Sequence, residues 1–271
     1  MGLDQNISQD IKLLPGKSMN KALITRSTIL KLAHNTNEGH IPSSFSIVEI
    51  MMAVKKHQEK VNSFSPQNLV LSKGHASFGY YAFLHAFKYF SESELKSVCK
   101  LNSKFYGHLP FLENDKRFHY GSGSLGHGLP YAVGLAFAKL KNNSKDIIYC
   151  IVGDGEANEG TFWESLLILK KFSHINLKII IDQNNSSERA IPITSFIENI
   201  KNLYDKKSYV SSVDGHSIDE LVASLDSSTI IIANTVKGYP LSNMMSPMWH
   251  HKSPSEEELI SLQKDLEEFY K

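Results

Sequence analysis

Two short apolar runs, Ile147 to Val152 (IIYCIV) and Leu177 to Ile181 (LKIII), constrain this chain more than any other feature. Both are continuous rather than alternating, the pattern of strands buried on both faces of a parallel sheet. Parallel neighbours need a crossover, and Thr161 to Phe172 between them reads as its helix. Polar residues follow each run at once: Gly153-Asp154-Gly155-Glu156 after the first, Asp182-Gln183-Asn184-Asn185 after the second. Asp154 and Asn184, thirty residues apart, therefore stand at carboxyl ends of strands, where open α/β sheets gather ligands. A carboxylate and an amide oxygen beside glycines suit a hard cation such as Mg²⁺ or Ca²⁺ and a phosphate close to the backbone. Local sequence alone equally allows Asp154 to cap the following helix and Asn184 to make a turn.

From about Asn20 to the end, helical patterns alternate with short apolar runs, which predicts an α/β fold: a doubly wound, mostly parallel sheet with helices on both faces. A chain of 271 residues, 41% hydrophobic and 21% charged, can enclose one large core, so a single domain over residues 17–271 is expected. Residues 1–16, polar and ending in Pro15-Gly16, read as an N-terminal arm. The last segment, Pro254 to Tyr270, sets Glu256 to Glu258 against Leu259, Leu262, Leu266 and Phe269 as an amphipathic final helix and looks like a finished end. A formal net charge of +1 supplies no basic field for nucleic acid. No run of eighteen apolar residues and no signal-like start points to a membrane, which leaves the cytoplasm as the expected location. Cys99 and Cys150 are expected to be free thiols, because Cys150 falls inside a buried strand.

Further motifs stand in order along the chain: Gly39-His40 in EGHIPSSFS, LSKGHA around Lys73 and His75, Gly107-His108, GSGSLGHG at 121–128, GDGEANEG from Gly153, VDGH at 213–216, and ANTVKG followed by WHHK between 233 and 252. In this order and at these gaps they resemble the thiamine-diphosphate-binding half of the transketolase family. The likeness covers nearly the whole chain. At this length it implies the N-terminal subunit of a split transketolase, whose partner, a C-terminal subunit, carries the pyrimidine-binding domain.

The resemblance implies thiamine diphosphate held through Mg²⁺, with Ca²⁺ or Mn²⁺ as substitutes. Asp154 supplies a carboxylate oxygen, Asn184 its amide oxygen and Ser186 a backbone carbonyl, with the diphosphate and water completing an octahedron. Gly153, Gly155 and Glu156 fall in the same loop as cofactor contacts, a Cβ at either glycine crowding the phosphates or forbidding the turn. Gly123, Ser124 and Leu125 are implied contacts to the thiamine, with Gly126 near the diphosphate. Of twelve histidines, His40, His75, His108 and His250 match active-site positions, where neutral imidazoles hydrogen-bond and move protons; His75 and His250 also contact the cofactor. His251 replaces the family's usual glycine, and His127 stands where Gln is common and is assigned no role. Glu159 and Glu164 match acids at a dimer interface, a role that Phe162 and Trp163 favour and that solvated helix charges rival.

The implied activity is ketol transfer: a ketose is split between C2 and C3 and its two-carbon unit passed to an aldose. The glutamate that activates the cofactor's aminopyrimidine belongs to the missing domain, so the chain is expected to work only with its partner, in a heterotetramer. Sugar phosphates are the family's substrates. Pro42-Ser43 and the segment Phe111 to Tyr120, with Phe111, Phe118 and Tyr120, depart from the pattern and are read as bordering the substrate channel, which points to a modified or nucleotide-linked sugar. Two other readings stand beside this one: half of a different thiamine diphosphate enzyme, such as a 1-deoxyxylulose-phosphate-synthase-like or 2-oxoacid-dehydrogenase-like subunit, and a non-catalytic paralogue that binds a partner without turnover.

Overall fold

The computed structural model describes residues 20–186, 196–204 and 209–271; the expected arm, 1–16, lies outside them. Five strands, β1 (Leu69–Leu71), β2 (Ile148–Gly153), β3 (Leu177–Gln183), β4 (Val210–Asp214) and β5 (Ile230–Asn234), pair in parallel as one sheet in the order β1-β2-β3-β5-β4. All of β2 is buried. Ile148, Cys150 and Val152 face one core while Tyr149 and Ile151 face the other, which is why the run shows no polar alternation. Each aliphatic side chain so buried stabilises the fold by about 1.5–3 kcal/mol.

Seven helices pack on one face: α1 (Lys21–Thr36), α2 (Ile41–Ser46), α3 (Val48–Val61), α4 (Ser77–Ala86), α5 (Glu92–Ser97), α9 (Ile218–Ser227) and α10 (Glu256–Phe269). On the other lie α6 (Gly128–Lys141), α7 (Gly160–Lys171) and α8 (Phe196–Leu203). The predicted crossover helix is α7, displaced by one residue. Helix α10 begins in a capping box between Ser255 and Glu258 and buries Leu262 and Leu266, but its end turns Phe269 half outward, beside the Tyr239 ring at 5.6 Å. No helix among the described residues is long and apolar enough to cross a membrane. Cys99 and Cys150 are free thiols.

A buried ion pair ties this helical layer together. Arg26 on α1 donates to Glu49 on α3 through both terminal nitrogens (2.6 and 2.7 Å), to the carbonyls of Phe45 and Tyr239 (3.1 Å each), and to the Tyr270 hydroxyl. His216 Nδ1 lies 3.2 Å from the same carboxylate, so every face of the pair has a polar partner.

Two of the three aromatics in the segment 111–120, expected to border a channel, pack into the cores instead. Phe118 is buried among Tyr80, Tyr81, Phe90 and Phe105, with ring centroids 5.2–6.0 Å away. Tyr120 packs on the opposite core, 5.0 Å from Tyr131. Of the three aromatics only Phe111 is exposed, at 64%. Hydrophobic burial claimed Phe118 and Tyr120, which sequence position had suggested for a ligand.

Candidate functional site

A cavity of about 230 Å³ opens at the carboxyl ends of the strands. Ser72 and Lys73 reach it just after β1, Asp154 to Glu156 after β2, Asn184 and Ser186 after β3, and Lys237 after β5. The β2–β3 register sets Gly153 opposite Asp182, so the two strands emerge side by side, and the Asn184 N–H donates to Asp154 Oδ2 at 3.2 Å. Asp154 also caps the short turn after it, accepting from the Gly155 N–H at 2.7 Å, and Asn184 Oδ1 accepts from the Ser186 N–H at 3.1 Å. The cap and the turn are both present, and they hold the two side chains at the cavity wall.

Burial, reinforced by nearby Asp182, pushes the Asp154 carboxyl above its usual range, and among the described residues it has no ion-pair partner. A cation in the cavity would offset that penalty. The donors converging there, the carboxylate of Asp154, the amide of Asn184 and the backbone of Ser186, offer oxygen, as Mg²⁺ requires, so the residues present fit such an ion.

Behind this pair sits Asp182, fully buried at the end of β3. It accepts from Lys73 Nζ, from Ser46 Oγ (2.7 Å), from the Thr235 hydroxyl and from Asn184 Nδ2 (3.1 Å). Burial alone would raise this carboxyl; Lys73 and the hydroxyls hold it below the ordinary carboxylate range. Glu156 plays a different part. Its carboxylate receives Ser72 Oγ, the Gly126 N–H (3.0 Å) and the Gly153 N–H (3.3 Å), which ties the β1 loop and the glycine loop to the end of β2. Gly126 has φ +81°, and a Cβ there would lie 2.5 Å from Thr161 Oγ1 and 2.7 Å from Glu159 Cβ, so this position needs glycine. Gly153 does not share that need: its φ is not positive, and a Cβ there would meet the Lys73 side chain at 3.4 Å, an ordinary contact; Gly155 has no positive φ either. At Gly153 the turn itself does not forbid a side chain, which leaves the other half of the expectation, crowding of the phosphates. Any demand for glycine comes from the ligand that approaches that backbone.

Three of the four predicted histidines, His75, His108 and His250, line the cavity along with Gly123, Ser124 and Leu125. His40 stands against them, its ring 5.5 Å from His75 and 5.1 Å from His250. It adopts left-handed backbone (φ +63°) at the entry of α2, where its N–H donates to the His250 carbonyl at 2.9 Å. Burial, then the neighbouring His251 and His250, lower His40 to about 4. Burial and Lys73 hold His75 well below the usual imidazole range, and burial with Lys237 lowers His250. These three imidazoles are neutral at pH 7. Lys237 Nζ lies 2.9 Å from His250 Nδ1 and 3.3 Å from Ser186 Oγ. Glu159 is half-buried beside Gly126, whereas Glu164 is exposed on α7 near Leu167 and Ile168, two exposed apolar residues. Ser43, expected to border the substrate channel, does line the cavity, whereas Lys73 and Lys237 are wall residues to which sequence reasoning assigned no role; their only signal was membership of LSKGHA and ANTVKG.

The family described as transketolase, thiamine diphosphate binding domain, matches residues 20–268. The chain belongs to the transketolase family. This family member is 33% identical over 267 residues to one subunit of the apulose-4-phosphate transketolase of Actinobacillus succinogenes, covering 90% of this chain and 94% of that one. It is 28% identical over 255 residues to a 6-deoxy-6-sulfo-D-fructose transketolase subunit of Clostridium sp. (strain MSTE9), with 88% and 92% covered. Human transketolase is 31% identical over 230 residues, but the match spans only 36% of its length. Transketolase from Leishmania mexicana shares the fold, with a TM-score of 0.79 at 20% identity over 91% of this chain and 41% of that one. The expected family and the α/β fold are both borne out, and the relatives named are transketolases or transketolase subunits rather than synthase-like or dehydrogenase-like thiamine diphosphate enzymes.

Proposed function

We propose that this transketolase-family chain is the cofactor-holding subunit of a two-chain transketolase, binding the diphosphate of thiamine diphosphate through Mg²⁺. The observation that carries it is the convergence of Asp154, Asn184 and Ser186 on one cavity whose other wall presents Lys237 and neutral histidines. Thiamine diphosphate, when bound, supplies the electron sink that lets a bond beside a ketose carbonyl break. Asp154 and Asn184 side-chain oxygens and the Ser186 carbonyl hold the ion, and Lys237 sets a positive charge beside the phosphates. Gly153 and Gly155 leave the backbone open to their approach, Glu156 braces the loop, and Gly123, Ser124 and Leu125 lie along the ring. His40, His75, His108 and His250 orient sugar hydroxyls and move protons at their ring nitrogens, a task that suits His40, His75 and His250 as imidazoles neutral at pH 7.

Two relatives that this chain covers almost end to end are named as subunits, which supports a separate partner chain carrying the pyrimidine-binding domain. The half-exposed Leu125, the exposed Val236 and the exposed Met248 leave an apolar rim for that partner, and the exposed stretch of α7 with Glu164, Leu167 and Ile168 serves self-association into a heterotetramer. Both of those relatives are named for modified ketoses, which favours a modified sugar over the ordinary pentose phosphates. Calorimetry of thiamine diphosphate binding, with and without Mg²⁺, tests the core of this reading. Wild type should bind only with the metal, and Asp154→Ala should abolish binding with the fold intact by circular dichroism. Unchanged affinity in Asp154→Ala refutes the assignment.

A further inference from the structure

Beside the oxygen-lined site, the cavity rim gathers a cluster of a different chemical kind. His40, His250 and His251 each offer a ring nitrogen, and these three atoms all lie within 4.8 Å of one another. Their ring centroids are 4.4–5.1 Å apart. The backbones that carry them are locked together although they are distant in sequence: the His40 N–H donates to the His250 carbonyl at 2.9 Å, and Gly39 is pressed so closely on His251 that a Cβ would fall 2.5–2.6 Å from its backbone atoms.

We propose that His40, His250 and His251 form a second metal site, for a borderline-soft divalent ion such as Zn²⁺, with water in the fourth position. Zinc–imidazole bonds of about 2.0–2.1 Å in a tetrahedron require nitrogens roughly 3.4 Å apart, so the cluster must close by up to about 1.4 Å. His251 is exposed and can turn to supply that closure, and its exposure is also the ion's entry path. An all-nitrogen set selects Zn²⁺, Cu²⁺, Ni²⁺ or Co²⁺ over Mg²⁺, whereas Asp154 and Asn184 do the reverse. The cavity therefore sorts two ions by hardness. Lys237 adds to the selection: no carboxylate belongs to the cluster and an ammonium sits 2.9 Å from His250 Nδ1, so an ion gains from metal–nitrogen bonding and not from Coulomb attraction. Ligation through His250 Nε2 leaves the imidazole proton on Nδ1 and turns Lys237 toward Ser186 Oγ, 3.3 Å away.

Binding stands on this geometry alone. Its consequence, inhibition, rests on the proposed ketol transfer, since the ion immobilises His40 and His250. The purified chain in saturating Mg²⁺ is titrated with Zn²⁺ by calorimetry and with Co²⁺ by visible absorption. The site predicts one Zn²⁺ per chain, the intense absorption of four-coordinate cobalt, and affinity at least about 100-fold weaker in His251→Gln, since losing a ligand exceeds the roughly 10–100-fold effect of outer partners. With the partner subunit, His251→Gln should keep basal turnover within about twofold and lose zinc inhibition. Absent zinc binding, or equal binding by wild type and His251→Gln, overturns the site; zinc binding without inhibition overturns only the consequence.

Discussion

Arg26–Glu49 and Lys73–Asp182 are both buried ion pairs, yet one is sealed in the helical layer and the other stands at the cavity wall. The Arg26 guanidinium is surrounded by carboxylate, carbonyl and hydroxyl acceptors. Lys73 meets one carboxylate and lies within 3.5 Å of Ser46 Oγ, with its stem beside Gly153. A closed network of charge serves the fold, and an open one lends its charge to an incoming ligand.

The largest effect expected is from Arg26→Met, which strands the Glu49 carboxylate and should cost about 3–5 kcal/mol in urea denaturation, most of it recovered in the Arg26→Met/Glu49→Gln double variant. Lys73→Met should cost less, about 2–3 kcal/mol, because Asp182 keeps donors from Ser46, Thr235 and Asn184. It should also weaken thiamine diphosphate about tenfold or more by calorimetry, while folded Arg26→Met binds as wild type does. Equal cofactor effects of the two variants would break the contrast.

A pH experiment sharpens it. His40 is lowered to about 4 when folded, so between its ordinary 6.5 and about 4 the unfolded chain binds the extra proton. Stability is then complete above 6.5 and lost as pH falls through that window. The loss should be about 1 kcal/mol after solvent screening, and His40→Gln should flatten the difference between urea midpoints at pH 7 and pH 5. The smallest effect belongs to Gly153→Ala, within about 0.5 kcal/mol of wild type in thermal unfolding, since its Cβ meets nothing nearer than the Lys73 stem at 3.4 Å.

The sheet was legible because β2 and β3 are buried on both faces, and such burial leaves an unbroken apolar signature. Asp154 and Asn184 were legible for the same reason, standing among the first polar residues beyond those strands. Lys73 was not, since β1 is only three residues long and gives no periodicity to place the residues after it. Lys237, in a loop, gains its position from long-range packing that no local pattern encodes. Phe118 misled because an aromatic near a glycine loop looks the same in sequence whether it faces a channel or a core.

The cavity wall draws on residues from Ser43 to His250, so a chain emerging from the ribosome completes it only when nearly everything else has folded. A ligand bound there recognises the finished fold alone and deepens its stability by mass action, which makes the protein's lifetime in a cell a function of ligand supply.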